Sequence, residues 1–129
     1  MYPKEFRESK DKIAKACTKN ARISLKSAKI VCREVRKRKY VEKAIKFLED
    51  LVEKKVSIRG KYYTNAAKEI LKFLKSAIKN AEYKKLSKEK LVIAYLAPNK
   101  GESFFRARRK SEFGRRMKST HLSVVLKEA

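Results

Sequence analysis

The chain is short of nearly everything that builds a reaction centre. Its 129 residues include one histidine, His121, and two cysteines, Cys17 and Cys32. A thiol nucleophile needs a base and an orienting group beside it, and nothing in the spacing of these three residues supplies that arrangement. Cys32 falls on the apolar face of a helix-period pattern, where a thiol behaves as a small hydrophobe. The same three residues lack the paired short spacings and the fourth ligand of a structural zinc site. With only Gly60, Gly101 and Gly114, there is no glycine-rich loop with phosphate-cradling spacing. The composition therefore speaks against an enzyme, a metal centre and a cofactor.

Two cysteines cannot frame a secreted disulfide scaffold, so free thiols in a reducing, cytoplasmic compartment are expected. The opening residues, MYPKEFRESKDKIAKAC, have no apolar centre of the kind a secretory signal carries. No run approaches the roughly 18 apolar residues that a membrane helix needs. Acids are scarce as well: 14 Asp and Glu stand against 37 Lys and Arg, for a net charge of +23. That charge strains a compact chain by self-repulsion and raises its affinity for polyanions. Nucleic acid is the first partner class to consider and an anionic membrane surface the second. Yet 43% of the residues are hydrophobic, too many for a disordered basic tail. The chain is expected to fold as a single domain over residues 1–129.

The positive charge concentrates in one stretch, Ala97 to Thr120. It holds Lys100, Arg106, Arg108, Arg109, Lys110, Arg115, Arg116 and Lys118 against two acids, Glu102 and Glu112. Apolar runs of strand length flank it, LVIAYL before and HLSVVL after. This pattern predicts an extended basic β-hairpin over 97–120. At roughly 3.3 Å per residue, arms of about eleven residues reach about 35 Å, well past the radius of about 14 Å for a domain of this size. Phe104, Phe105 and Phe113 are interleaved with the arginines, a mixture that can insert between nucleotides as well as neutralise them. Arginine also grips phosphate bidentately, which lysine cannot do.

The remainder reads as a small body. Residues 1–16 carry alternating charges, with Pro3 breaking the start, and predict an extended or loosely helical N-terminal arm. CTKNARIS has weak strand character around Ala21 and Ile23. Ser24 is a candidate N-cap for a helix whose Ala28, Val31, Cys32 and Val35 follow the helical rule; Arg36 to Lys39 suit its negative end. A second helix places Val41, Ala44, Ile45, Leu48 and Val52 on one face, with Glu49, Asp50 and Glu53 as the least basic patch. Residues 54–65 connect, marked by Gly60. A third helix aligns Ala67, Ile70, Leu71, Leu74, Ala77, Ile78 and Ala81, with Lys68, Lys72, Lys75 and Lys79 on a flank that either faces solvent or touches phosphate. Tyr62 and Tyr63 are candidates to stack on bases or to cover a core edge. The fold class expected is α+β: three helices packed on a small antiparallel three-stranded sheet, with about fifteen large apolar side chains buried and the long hairpin protruding.

Three segments carry a resemblance to the large-subunit ribosomal protein family L twenty-two, in its archaeal and eukaryotic form. ARISLKSAKIVCREVR resembles the family's opening strand and first helix, with Ser24, Lys26 and Lys29 fitting. KSAIKNAEYKKLSKEKLVIAYL resembles the end of the third helix and the next strand, where Asn80, Ala81 and Glu82 match an Asn-Ala-Glu pattern. FRARRK and STHLSVVL resemble the hairpin and the final strand, with Arg106, Ala107 and His121 in register. The similarity covers roughly residues 19 to 127.

The resemblance implies a structural constituent of the large ribosomal subunit whose hairpin passes through ribosomal RNA and helps line the polypeptide exit tunnel. Arg22, Lys26 and Lys29 would meet RNA from the body, and Lys100, Arg106, Arg108, Arg109, Lys110, Arg115, Arg116 and Lys118 from the hairpin. Tyr62, Tyr63, Phe105 and Phe113 would be the stacking candidates. Partners implied are large-subunit ribosomal RNA, neighbouring ribosomal proteins and the nascent polypeptide at the tip, with no membrane and no homo-oligomer. Two departures stand out. Arg109 occupies the place where the family has glycine, which leaves the tip somewhere in Arg109–Gly114, and the connection SIRGKYYT is shorter than in most relatives. Charge alone also fits a chromosomal DNA-compacting protein; an RNA-processing enzyme would need a pocket of convergent polar groups, for which one histidine is poor material.

Overall fold

A computed structural model describes residues 2–8 and 12–129. Its centre is a three-stranded antiparallel sheet in the order β1–β5–β2, with β1 Ile13–Ala21, β2 Leu91–Lys100 and β5 Thr120–Glu128. The last strand takes the middle because it is the most apolar. Leu122, Ser123, Val124, Val125 and Leu126 are all buried, which only a strand covered on both faces achieves. Leu122, Val124 and Leu126 alternate toward one face, with Ala14 and Ala16 of β1 and Ile93 and Leu96 of β2 as their partners. LVIAYL does not alternate because the register shifts between Ile93 and Tyr95. That bulge lets Leu91, Ile93 and Leu96 all reach the core.

Three helices cover this face: α2 Leu25–Lys37, α3 Val41–Val52 and α4 Thr64–Tyr83. Helix α4 packs on β1 and β5, α2 on β2, and α3 on α4. The stripe of α2 is the one its spacing predicts, Ala28, Val31, Cys32 and Val35. In α3 the buried face adds Phe47 and Leu51, while Ile45 and Val52 are only partly buried. In α4 it adds Ala66 and Phe73 and leaves Leu71 and Ile78 at the edge. Both helices are wedged between two neighbours, so their apolar arcs are wider and rotated relative to a one-sided stripe. The core exceeds the expected fifteen or so large side chains accordingly. Ser24 sits at the N-cap of α2 in extended conformation, but its hydroxyl makes no capping bond; its carbonyl accepts the Ala28 N–H at 2.9 Å.

On the opposite face lies a short helix, α1 Lys4–Glu8, within the segment expected to be an extended or loosely helical arm. Its Phe6 ring lies 6.2 Å from Tyr95, the cross-strand partner of Val125. The Tyr2 hydroxyl, hydrogen-bonded to Cys17, is pushed up to about 12 chiefly by burial. The expected 1–16 arm is thus corrected in extent. Residues 13–16 belong to β1, where pairing with 124–127 is available to them, and 9–11 lie outside the described residues. The connection after α3 closes on Arg59 (φ 50°) and Gly60 (φ 79°), between reciprocal bonds of Ile58 and Lys61. Positive φ at both central residues is the geometry of a tight two-residue hairpin turn.

Candidate nucleic-acid interface

The basic stretch does leave the body as a hairpin, though its first and last residues do not. Ala97–Lys100 and Thr120 are part of the main sheet, with Lys100 paired to Thr120. The finger proper begins at Gly101, whose N–H donates to the Ser119 carbonyl at 3.1 Å. Regular pairing then lapses and resumes only as β3 Phe104–Phe105 against β4 Arg116–Met117. The Arg106 N–H donates to the Arg115 carbonyl at 3.0 Å and closes the tip. Gly114, at φ 76°, takes the left-handed position of that turn. The hairpin expected over 97–120 is present, with its strand pairing interrupted between Lys100–Thr120 and Phe104–Met117.

The break is bridged by side chains. In β1 the register shifts between Thr18 and Ala21, and Asn20 within the bulge has φ 54°, which asparagine tolerates better than most residues. Its N–H donates to Nδ1 of His121 at 3.0 Å. Its Oδ1 accepts the Glu102 N–H at 3.1 Å and the Ser119 hydroxyl at 3.4 Å. The single Ser119 O–H is shared between that oxygen and the nearer Glu102 carbonyl. One residue further, buried Thr120 donates through Oγ1 to the Ile23 carbonyl at 2.9 Å, tying the return strand to the entry of α2. His121 is thus an acceptor within this clamp. Cys17, paired with Ser123 across the sheet, and Cys32, wholly buried, belong to separate environments.

Beyond the clamp every residue from Glu102 to Lys118 is exposed except Glu112, which is half-buried. Arg109 and Lys110 belong to the turn, and Arg108 immediately precedes it. Arg106 lies 3.9 Å from Glu112, and Arg116 stacks 4.9 Å from the centre of the Phe105 ring. Phe105 and Phe113 are both 70% exposed, so aromatic surface and guanidinium groups are presented to solvent together.

The body contributes at the finger's root. Lys26 and Lys29 of α2 meet Lys100 and Lys118 of the hairpin around a cavity of about 420 Å³, also lined by Ser24 and Gly101. Four lysines line it and no acid does. Arg22 instead lines a neighbouring cavity of about 360 Å³ with Ser27 and Tyr63, where the starts of α2 and α4 meet. Tyr63 is packed against the core edge and Tyr62 is the exposed one of the pair. Lys68, Lys72, Lys75 and Lys79 line a shallow groove along α4 with Leu71, and Lys75 is 3.4 Å from Glu49. Among the described residues, no three His, Cys, Asp or Glu side chains gather as a metal site, and no helix is long and apolar enough to cross a membrane.

The model of one protein family, ribosomal protein L22p/L17e, matches residues 16–127. The chain belongs to this family. Its relatives include the large ribosomal subunit protein uL22 of Methanocaldococcus jannaschii, 37% identical over 92% of this chain and 89% of that one. The protein of the same name from Archaeoglobus fulgidus is 40% identical over 73% of this chain and 72% of its own, and that from Methanosphaera stadtmanae 34% over 92% and 91%.

Within the L22p/L17e frame, the residues that carried the resemblance have structural work here. Asn80 Nδ2 donates to the Lys15 carbonyl at 3.4 Å, Ala81 is fully buried, and Glu82 pairs with Lys88 at 2.6 Å. Asn80 and Lys84, which reaches the Ile13 carbonyl at 3.0 Å, hold the end of α4 against edge strand β1, while Glu82 ties it to the segment leading into β2. The alignment with the Methanocaldococcus protein runs over 141 positions, more than the 129 residues of this chain, so that relative carries residues this chain lacks. The members of the root clamp, Asn20, Gly101 and Ser119, escaped the sequence reading. Their one trace is the polar break TKN in an otherwise strand-like segment.

Proposed function

We propose that this chain is a structural constituent of the large ribosomal subunit in the cytoplasm, folded as a single domain over residues 1–129. It binds large-subunit ribosomal RNA by neutralising phosphates and by shape, without a chemical step. Arg106, Arg108, Arg109, Lys110, Arg115 and Arg116 meet phosphates from the finger. Lys26, Lys29, Lys100 and Lys118 meet them at its root, and Arg22 from the body. Phe105 and Phe113 on the finger, and Tyr62 and Tyr63 on the body, supply stacking surfaces. The finger passes through folded RNA and its tip lies along the polypeptide exit tunnel, beside the nascent chain. One copy sits among neighbouring ribosomal proteins, not as a homo-oligomer.

The observation that carries this reading is the pairing of an exposed cationic finger with a built clamp. A loop that only needed to be soluble would gain nothing from a buried threonine, a left-handed asparagine and a close glycine contact at its base. The decisive experiment is sedimentation of cell lysate at high salt, following the full chain and a variant lacking residues 102–118. The full chain should travel with large subunits, and the shortened one should remain largely at the top of the gradient. Equal incorporation of both would remove the finger from the assembly mechanism. Equal affinity of the full chain for duplex DNA and for ribosomal RNA at moderate salt would favour a nonspecific DNA-compacting role instead.

A further inference from the structure

The hairpin's root separates two cavities that differ in the side chains lining them. One is the lysine cavity beside α2. The other, on the β1 side, has a volume of about 430 Å³ and is lined by Asn20, Arg22, Phe104, Phe105, Met117 and Lys118. Lys118 and Ser119 form part of both walls. Phe104 and Met117 are cross-strand partners, so their side chains share one face of the short ladder. They remain 42% and 38% exposed, and Phe105 is 70% exposed. A contiguous apolar notch left open on so charged a chain marks a place where something docks.

The rim selects the occupant. Arg22 and Lys118 flank the apolar floor, and no acid lines it. An apolar protein side chain would satisfy the floor but leave both cations desolvated and unpaired, at a cost. A nucleotide satisfies both, because its base is flat and apolar on its faces and its phosphate is anionic. Asn20 commits its oxygen to the clamp, which turns its amide NH2 into a donor available at the notch wall.

We propose that the notch holds one unpaired nucleotide of RNA. The base lies against Phe104 and Met117, and its phosphate is carried by Lys118 toward the lysine cavity. The proposal rests on the RNA-binding reading and adds a base-dependent site to a finger otherwise described by its charge. It makes the root, and not only the tip, a point of register on the RNA, since an extruded base can seat there in one place only.

The test uses the full chain and three probes: single-stranded hexa-adenylate RNA, the same ribose-phosphate chain without bases, and an RNA duplex of equal length, with affinities from fluorescence anisotropy. The hexamer with bases should bind on the order of tenfold more tightly than the abasic chain. That ratio should fall severalfold in F104S and in M117S, both exposed positions, and persist in V56S and Y83S, exposed apolar positions outside the finger. A ratio near one in the unaltered chain, or one unchanged by F104S and M117S, overturns the proposal while leaving phosphate binding and subunit membership untouched. In assembled large subunits, a photoreactive methionine analogue at position 117 should crosslink to a nucleotide. Crosslinking to protein there would assign the notch to a neighbouring chain and overturn the proposal.

Discussion

The side-chain oxygen of Asn20 accepts the backbone N–H of Glu102 at 3.1 Å, joining a bulge in the first strand to the base of a finger 82 residues later in the chain. The bond fills the gap where the two ladders of the hairpin fail to meet. It lets an exposed finger leave the sheet in a fixed direction without continuous strand pairing.

Replacing Asn20 tests that arrangement. Asn20→Ala loses the acceptor for Glu102 and Ser119 and places an alanine at φ 54°. A cost of about 1–3 kcal/mol is expected in urea denaturation. Asn20→Gly restores the backbone freedom but not the acceptor, so it should recover part of the loss. In both variants the Glu102 amide should exchange with solvent faster than in the parent. Equal stability of all three chains would remove the clamp from the account.

Gly101 is tested by bulk rather than by backbone freedom. A Cβ there would lie 2.6 Å from Ser119 Oγ, 2.9 Å from Asn20 Oδ1 and 2.9 Å from the Ser119 carbonyl carbon. Real structures do not accommodate such contacts, so Gly101→Ala must displace the root, at about 1–3 kcal/mol. Adding Ser119→Ala removes the hydroxyl clash but not the backbone one. The double variant should recover only partly, and full recovery would place the strain in the side chain alone.

How much of this was legible beforehand follows from how local each signal is. The stripe Ala28, Val31, Cys32 and Val35 was readable because α2 presents one face to one neighbour, and periodicity reports that directly. Phe47 and Phe73 were not, because their burial depends on a second neighbour that periodicity does not encode. The basic finger was legible from charge and its flanking apolar runs, while its broken ladder was not, since Asn20 and Ser119 meet across 99 residues. Helix α1 was read only as a loosely helical arm because five residues carry little propensity of their own; it is held by tertiary contacts such as Phe6 on Tyr95.

The two thiols should behave oppositely. Cys17 is exposed and Cys32 is buried, and burial pushes the Cys32 thiol from 9.0 up to about 12, slightly relieved by Arg36. A thiol reagent should modify one cysteine in the native chain and two after unfolding. The folded state holds the proton on Cys32 where the unfolded chain would release it. The stability tied to that proton is therefore present in full below about pH 9 and lost as pH rises toward about 12. Cys32→Ala should show a shallower alkaline decline in urea midpoints; an identical slope would mean the thiol is hydrated.

Arg38, at the C-terminal end of α2, ties that helix to α3. Its guanidinium carbon lies 3.4 Å from the centre of the Phe47 ring, and it donates to the Glu34 carbonyl at 2.7 Å. Arg38→Ala should cost about 1–2 kcal/mol through the lost cation–π contact and the uncovered ring. Arg38→Lys keeps the charge but not the planar stack and should lie between the two. Beside it, Glu34 is held below the ordinary carboxylate range, first by its bond from Lys37. Its small contribution is present above pH 4.5 and lost as acid lowers the pH further.

Salt should act on the free and the bound chain in opposite senses, and this separates a charge held for a partner from a charge held for solubility. With a net charge of +23, the isolated chain is stabilised when added salt screens its self-repulsion, since the screening length falls to about 10 Å at roughly 0.1 M. Its melting temperature should rise with sodium chloride. Affinity for ribosomal RNA should fall over the same range, by about a thousandfold or more from about 50 to about 200 mM if about eight phosphates are engaged. Replacing Arg108, Arg109 and Lys110 by serine, all exposed at the tip, should lower the logarithmic salt slope by roughly 2–3 while changing stability by no more than about 0.5 kcal/mol. An unchanged slope would mean that the tip cations point at no phosphate, and the contact count would then have to come from the root and the body alone.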